Sequence, residues 1–227
     1  MADLEIIGGP ASNFVWMCRI ACAEKGVPYT LVPVMPHTPE VRAIHPLGKI
    51  PVLRHGNVTI AESRAICSYI ERTFEGPPLW PSDPVAVARI EQWISILNTA
   101  IDPVWVRQYV AAYFFPGTSD GSPNRAAIEA ALPKMETQFP VMDQAVASGY
   151  LVGDRFTLAD ADFMPILFYM SRLPESAALL RRHARLAAYF ERHMTRPSVR
   201  DSAPQTLPGT AGARPMQVRD EPRAVNA

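Results

Sequence analysis

At 227 residues the chain is long enough for one large or two small domains and can bury a core without disulfides or metal. Its 22 basic and 22 acidic residues cancel, so nothing implies a sequence-independent grip on nucleic acid or an acidic membrane surface, and a small partner is expected. Cys18, Cys22 and Cys67 are odd in number and form no CxxC, the first thirty residues lack the form of a secretory signal, and no apolar run approaches the roughly 18 residues of a membrane span; the expectation is a soluble protein of a reducing cytoplasm.

Leu4 to Ile7 reads as a short strand, stopped by Gly8-Gly9-Pro10. From Asn13 to Lys25 the stripe Phe14, Cys18, Ala21 and Cys22 predicts a helix, closed by Gly26. Tyr29 to Val34 is β-prone but contains Pro33, which suits an edge strand whose outer side needs no donor. Residues 36–48 are polar and proline-punctuated, a loop with room for one helical turn. Ile50 to Leu53 and Val58 to Ala61 follow as paired strands joined at His55-Gly56-Asn57. Ser63 stands ahead of Ala65, Ile66, Tyr69, Ile70 and Phe74, the way a capped helix begins, and Gly76-Pro77-Pro78 ends it.

Residues 79–84 are proline-rich, and beyond them strand signals give way to long helical patterns. One helical stretch is predicted from Val85 to about Phe115, kinked at Pro103, and a second over 124–147. Thr157-Leu158-Ala159-Asp160 carries a capping-box spacing, and helix 158–173 is nearly all apolar, a buried spine for helices near 175–182 and 184–195. The order is therefore βαβαββα in a first domain over 1–80, then an all-α helical bundle over 85–202. Residues 203–227, rich in Pro, Ala, Gly and Arg, are expected to be a disordered tail.

The chemistry gathers in the first domain. Ser12 closes the turn before the first helix, where a hydroxyl and a helix N-terminus both favour an anion. A free thiol of pKa about 8.5 is only a few per cent thiolate at neutral pH, so a donor placed there would activate one. Read alone, Ser12 is an ordinary N-cap, and no His or Asp stands near it in the pattern of a nucleophile elbow. Pro51, inside the apolar run Lys49-Ile50-Pro51-Val52-Leu53, fits a strand entrance in trans, or a cis bond that turns the Ile50 backbone outward to pair with an extended peptide. Ser63 with the amides behind it suits a carboxylate, and Glu62 an ammonium, which together describe a free amino-acid head group.

These phrases, in this order, resemble a cytosolic glutathione S-transferase of the serine type, similar to the phi and theta-like bacterial branch. The resemblance spans about residues 4–200 and rests on Gly8 to Ser12, Glu24-Lys25-Gly26-Val27-Pro28-Tyr29, His45-Pro46-Leu47-Gly48-Lys49-Ile50-Pro51-Val52-Leu53, Glu62-Ser63-Arg64-Ala65-Ile66 and Thr157-Leu158-Ala159-Asp160. It implies a thioredoxin-like first domain, a helical second domain and a homodimer. By position, Ser12 would activate the glutathione thiol, with Asn13 a possible assistant. Ile50, before a cis-Pro51, would pair with the cysteinyl backbone, Glu62 and Ser63 would hold the γ-glutamyl end, and Lys49, joined by His37, the glycine carboxylate. Trp16 stands where similar bacterial sequences carry Arg or another polar residue. No Tyr occupies the first turn, which disfavours the tyrosine-type classes, and no Cys replaces Ser12.

Trp105, Tyr109, Tyr113 and Phe114 are read first as interhelical core or, where some of them face the cleft with Phe14, as an apolar wall for an electrophile. Cys18, Cys22 and Cys67 read as core, His45 as a loop anchor, and His183 and His193 lack metal-ligand spacing, so no metal is expected. The activity that follows is attack of a glutathione thiolate on an electrophilic, apolar substrate. The alternatives are a glutathione-dependent isomerase, peroxidase or reductase on the same fold, and a non-catalytic glutathione-binding scaffold.

Overall fold

A computed structural model describes residues 3–205. The chain divides into two compact units, one of residues 3–79 with 201–205, the other of residues 80–200. The predicted tail lies outside the described residues except for 203–205, where Pro204 is buried and Ala203 half-buried rather than loose.

The first unit follows the order β1 (Leu4–Ile7), α1 (Asn13–Glu24), β2 (Thr30–Val32), α2 (Pro39–Arg42), β3 (Val52–His55), β4 (Val58–Ala61), α3 (Ser63–Thr73). Its sheet runs β2-β1-β3-β4, with β1 parallel to β2 and antiparallel to β3, and β3 antiparallel to β4. This is the thioredoxin-like arrangement. β2 is an edge strand but ends at Val32, so Pro33, expected within it, lies just beyond it; β3 begins only after Pro51, and neither proline interrupts a ladder. His55 belongs to β3, leaving Gly56-Asn57 as the two-residue turn.

Alternation along β1 and β3 sends Ile7 and Val52 to one face, where Val41 of α2 meets them, and Ile6 and Leu53 to the other. α1 and α3 pack against each other and against the sheet. Between them Lys25, its side chain buried, pairs with Glu71 at 3.2 Å, and Glu71 also accepts the Leu79 amide. Trp16, fully buried in α1, donates its indole N–H to Ser202 at 2.8 Å, so the returning segment 201–205 is tied to the first helix.

The second unit opens with α4 (Pro84–Ile96), capped by Asp83, whose carboxylate accepts the Ala86 amide at 2.8 Å. The helical path continues through a π-helical Leu97–Ile101, α5 (Asp102–Val104), a π-helical Trp105–Val110 and α6 (Ala111–Phe114). The break predicted at Pro103 is thus taken up by two wider turns on either side of a residue with no amide to donate. In the wider turn, Arg107 reaches Asp102 five residues back at 2.8 Å.

α7 (Arg125–Ala145) contains Pro133 and Pro140, both at exposed positions of the helix. α8 (Leu158–Met170) is buried along its whole length, and α9 (Pro174–Arg182), α10 (Ala184–Met194) and α11 (Pro197–Arg200) complete the unit. Among the described residues no helix is long and apolar enough to cross a membrane.

Candidate functional site

Ser12 occupies the N-cap of α1 with extended backbone, its amide bonded to Gly9 and its hydroxyl accepting the Val15 amide at a long 3.4 Å. Capping uses a lone pair of the oxygen and leaves its proton to donate. The N-cap reading and the thiol-donor reading are therefore compatible at one atom. Asn13 follows as a buried first residue of the helix, and Phe14 is half-buried.

Gly8, at φ +152, brings the next residue in. A Cβ there would lie 2.6 Å from Val15 Cγ2 and 3.0 Å from Ile50 Cβ. The bare Cα thus seats Ile50 against the turn that carries Ser12. The Ile50–Pro51 peptide is cis, and pairing of β3 with β1 starts at Val52, so Ile50 stands outside the ladder.

Lys49 is exposed and follows Gly48, whose φ of +67 and lack of a side chain admit the His37 ring, 2.7 Å from where a Cβ would sit. The His37 amide bonds the Gly48 carbonyl at 2.7 Å. Arg42, which sequence reasoning missed, donates to the His37 carbonyl at 3.2 Å and to its Nδ1 at 3.4 Å. An always-protonated guanidinium makes Nδ1 the acceptor and leaves the proton on Nε2. The only signal in the sequence was an arginine five residues after a histidine, too common to notice.

Ser63 leads α3, but not as its cap. Glu62 holds the N-cap position at φ +72 with no capping bond from its side chain, and Ser63 is the first helical residue, buried. The sequence shows a hydroxyl before an apolar stripe and cannot show that the preceding residue takes a left-handed backbone. Behind Glu62, the buried His45 accepts the Leu47 amide at Nδ1, 3.0 Å, and meets Glu62 Oε1 with Nε2, 3.1 Å. His45 is more than the loop anchor predicted.

The aromatic candidates of the helical unit are engaged elsewhere. Trp105 is fully buried, stacks on Phe139 at 4.2 Å and donates to Gln138. Tyr109, also fully buried, donates to Glu175 at 3.0 Å and accepts the Ser176 amide, and Tyr113 donates to Glu175 as well. Burial opposes ionisation of Glu175, but hydrogen bonds from Tyr113, Arg125 and Tyr109 bring its carboxyl down to about 2. In place of a wall for an electrophile, Trp105 and Tyr109 supply interhelical core. Cys18, Cys22 and Cys67 are buried free thiols, and burial pushes Cys22 up, which suits core cysteines.

A glutathione S-transferase N-terminal domain model matches residues 6–78 and a glutathione S-transferase C-terminal domain model residues 106–197. Glutathione S-transferase 3 of Zea mays is 30% identical over 206 residues, covering 87% of this chain and 92% of that protein. The chain belongs to the glutathione S-transferase family. Among solved structures, glutathione transferase F7 from Populus trichocarpa aligns with a TM-score of 0.79 at 25% identity, over 88% of this chain and 97% of that one. A glutathione S-transferase from Methylobacillus flagellatus KT with GSH bound aligns at 0.72 and 26%, over 89% and 100%. Ser12, Ile50, Pro51, Glu62 and Ser63 all fall inside the N-terminal family match.

Proposed function

We propose that this transferase is of the serine type: it binds glutathione with the cysteinyl backbone along Ile50 and the γ-glutamyl end at Glu62 and Ser63, and holds the sulfur as a thiolate at Ser12. The observation that carries the reading is Gly8, whose missing side chain puts Ile50 beside the Ser12 turn. The exposed Lys49, with His37 and Arg42 beside Gly48, offers cationic and N–H donors for the glycine carboxylate.

A hydroxyl donating to a sulfur anion contributes about 1.5–3 kcal/mol, and a helix N-terminus about 0.3–1. Together they lower a thiol pKa by about 1.3–3 units. The thiolate attacks an electrophilic carbon, a C–S bond forms, and the electron pair leaves with the displaced group or shifts onto the activated acceptor. Phe14, half-buried two residues past Ser12, is our candidate for touching the electrophile. By family, the protein is a homodimer of the cytoplasm, and one 25 kDa species in sedimentation would exclude the dimer.

Ser12→Ala is the deciding experiment. Thiolate absorbance of bound glutathione should titrate at higher pH and conjugation at pH 7 should fall about 10–100-fold. An unchanged thiol pKa and rate would remove Ser12 from the mechanism.

A further inference from the structure

Glu62 combines three features. Its backbone is left-handed at φ +72, its side chain is 69% exposed, and one carboxylate oxygen is nevertheless tied to a histidine whose side chain is only 4% exposed. A surface glutamate ordinarily samples many rotamers, and fixing one is entropically unfavourable for a ligand that must do it. Here the fixing is done from inside the protein. His45 Nδ1 accepts the Leu47 amide, which requires that nitrogen to be unprotonated and places the ring proton on Nε2, aimed at Glu62 Oε1. The Glu62 carbonyl is also held, by the Ile66 amide at 2.9 Å. Oε1 is occupied, and with the side chain 69% exposed Oε2 is the oxygen left for a ligand.

We infer that His45 is a positioning residue for substrate capture: by holding Oε1 it aims Oε2 of Glu62 at the free α-ammonium of the γ-glutamyl end. The inference rests on the glutathione reading above. His45 touches no substrate and takes no part in the transfer step. Its contribution falls on binding, so KM moves and kcat does not. It also falls on one functional group of the ligand, so a glutathione whose amine is acetylated does not sense it.

The two ring nitrogens can be tested separately. In His45→Asn the amide oxygen stands in for Nδ1 and keeps the Leu47 bond but offers no donor to Glu62. In His45→Gln the side-chain N–H reaches the place of Nε2 and restores the donor. The measurements are the glutathione Kd by calorimetry and the KM and kcat with a fixed electrophile. His45→Asn should weaken glutathione binding about five- to tenfold, the scale of ordering one glutamate side chain anew, with kcat unchanged.

His45→Gln should recover most of that loss. The Asn penalty should disappear for N-acetyl-glutathione and in a Glu62→Gln background. Wild-type affinity in His45→Asn would overturn the inference, as would an equal loss with N-acetyl-glutathione or in Glu62→Gln, either of which would place the effect in the loop. A wild-type protein with no measurable affinity for glutathione would overturn the glutathione reading itself and this inference with it.

Discussion

The candidate site of the first unit and the helical core of the second place their polar groups in opposite ways. In the first, the candidate site residues stand at the ends of elements: Ser12 at the cap of α1, Ile50 before β3 and outside its ladder, Glu62 before α3 with no capping bond from its side chain. In the second, polarity is spent inward. Asp160, fully buried, accepts the Leu151 amide and the Tyr189 hydroxyl on one oxygen and the Thr157 amide and hydroxyl on the other, all within 2.9 Å. The contrast teaches that the first unit is built to recognise a ligand, whereas the best-defined polar centre of the second is built to hold helices together.

The sharpest way to break this contrast is to remove Asp160. Asp160→Ala strands two amides and two hydroxyls in the core and should cost about 4 kcal/mol or more of folding stability. Urea denaturation measures it, and a loss under 1 kcal/mol would deny Asp160 its structural role.

Asp162, two residues on, sharpens the contrast through pH. Its oxygens make no hydrogen bond of ordinary geometry. Burial first, then the charge of Asp102, pushes its carboxyl up to about 8, against the opposing pull of Asn98. A raised folded-state pKa means the native protein holds a proton that the unfolded chain, near pKa 3.9, gives up. Its contribution is therefore full below about pH 4, is lost as pH rises, and levels off above about pH 8. Asp162→Asn should remove that slope, so that the stability difference between variant and wild type grows by up to about 1.4 kcal/mol per pH unit across this window. Denaturation curves at pH 5, 6, 7 and 8 that stay parallel would sink the idea.

The smallest effect concerns Trp16. Trp16→Phe deletes the bond to Ser202 and should cost about 1–2 kcal/mol, with faster amide exchange confined to residues 201–205 and α1. Uniformly raised exchange would show that the tie is not local.

Much of the first unit was legible because its signals are local. Pro51 demanded a strand entrance and Gly26 a helix end, and each lies where its chemistry allows, while Pro33, expected inside an edge strand, stands just past its end. The reading failed where a residue's role depends on a distant partner. The His45–Glu62 bond spans 17 residues, and the left-handed backbone of Glu62 has no counterpart in residue type. Arg42 meets His37 only once the loop has folded. In the helical unit, periodicity gave the helices, including α7 across its two prolines, but it could not show that Trp105 and Tyr109 would find partners in Gln138 and Glu175. Apolar spacing says that a ring is covered and is silent on what covers it.

The tie between Trp16 and Ser202 carries one more consequence. Because residues 201–205 belong with residues 3–79, the glutathione-family N-terminal unit is discontinuous, and the helical unit is threaded into it as an insertion between its last helix and its final strap. Completion of the first unit therefore waits for the second: α1 and the sheet can assemble early, but the indole N–H of Trp16 meets its partner only after the whole helical unit has been made.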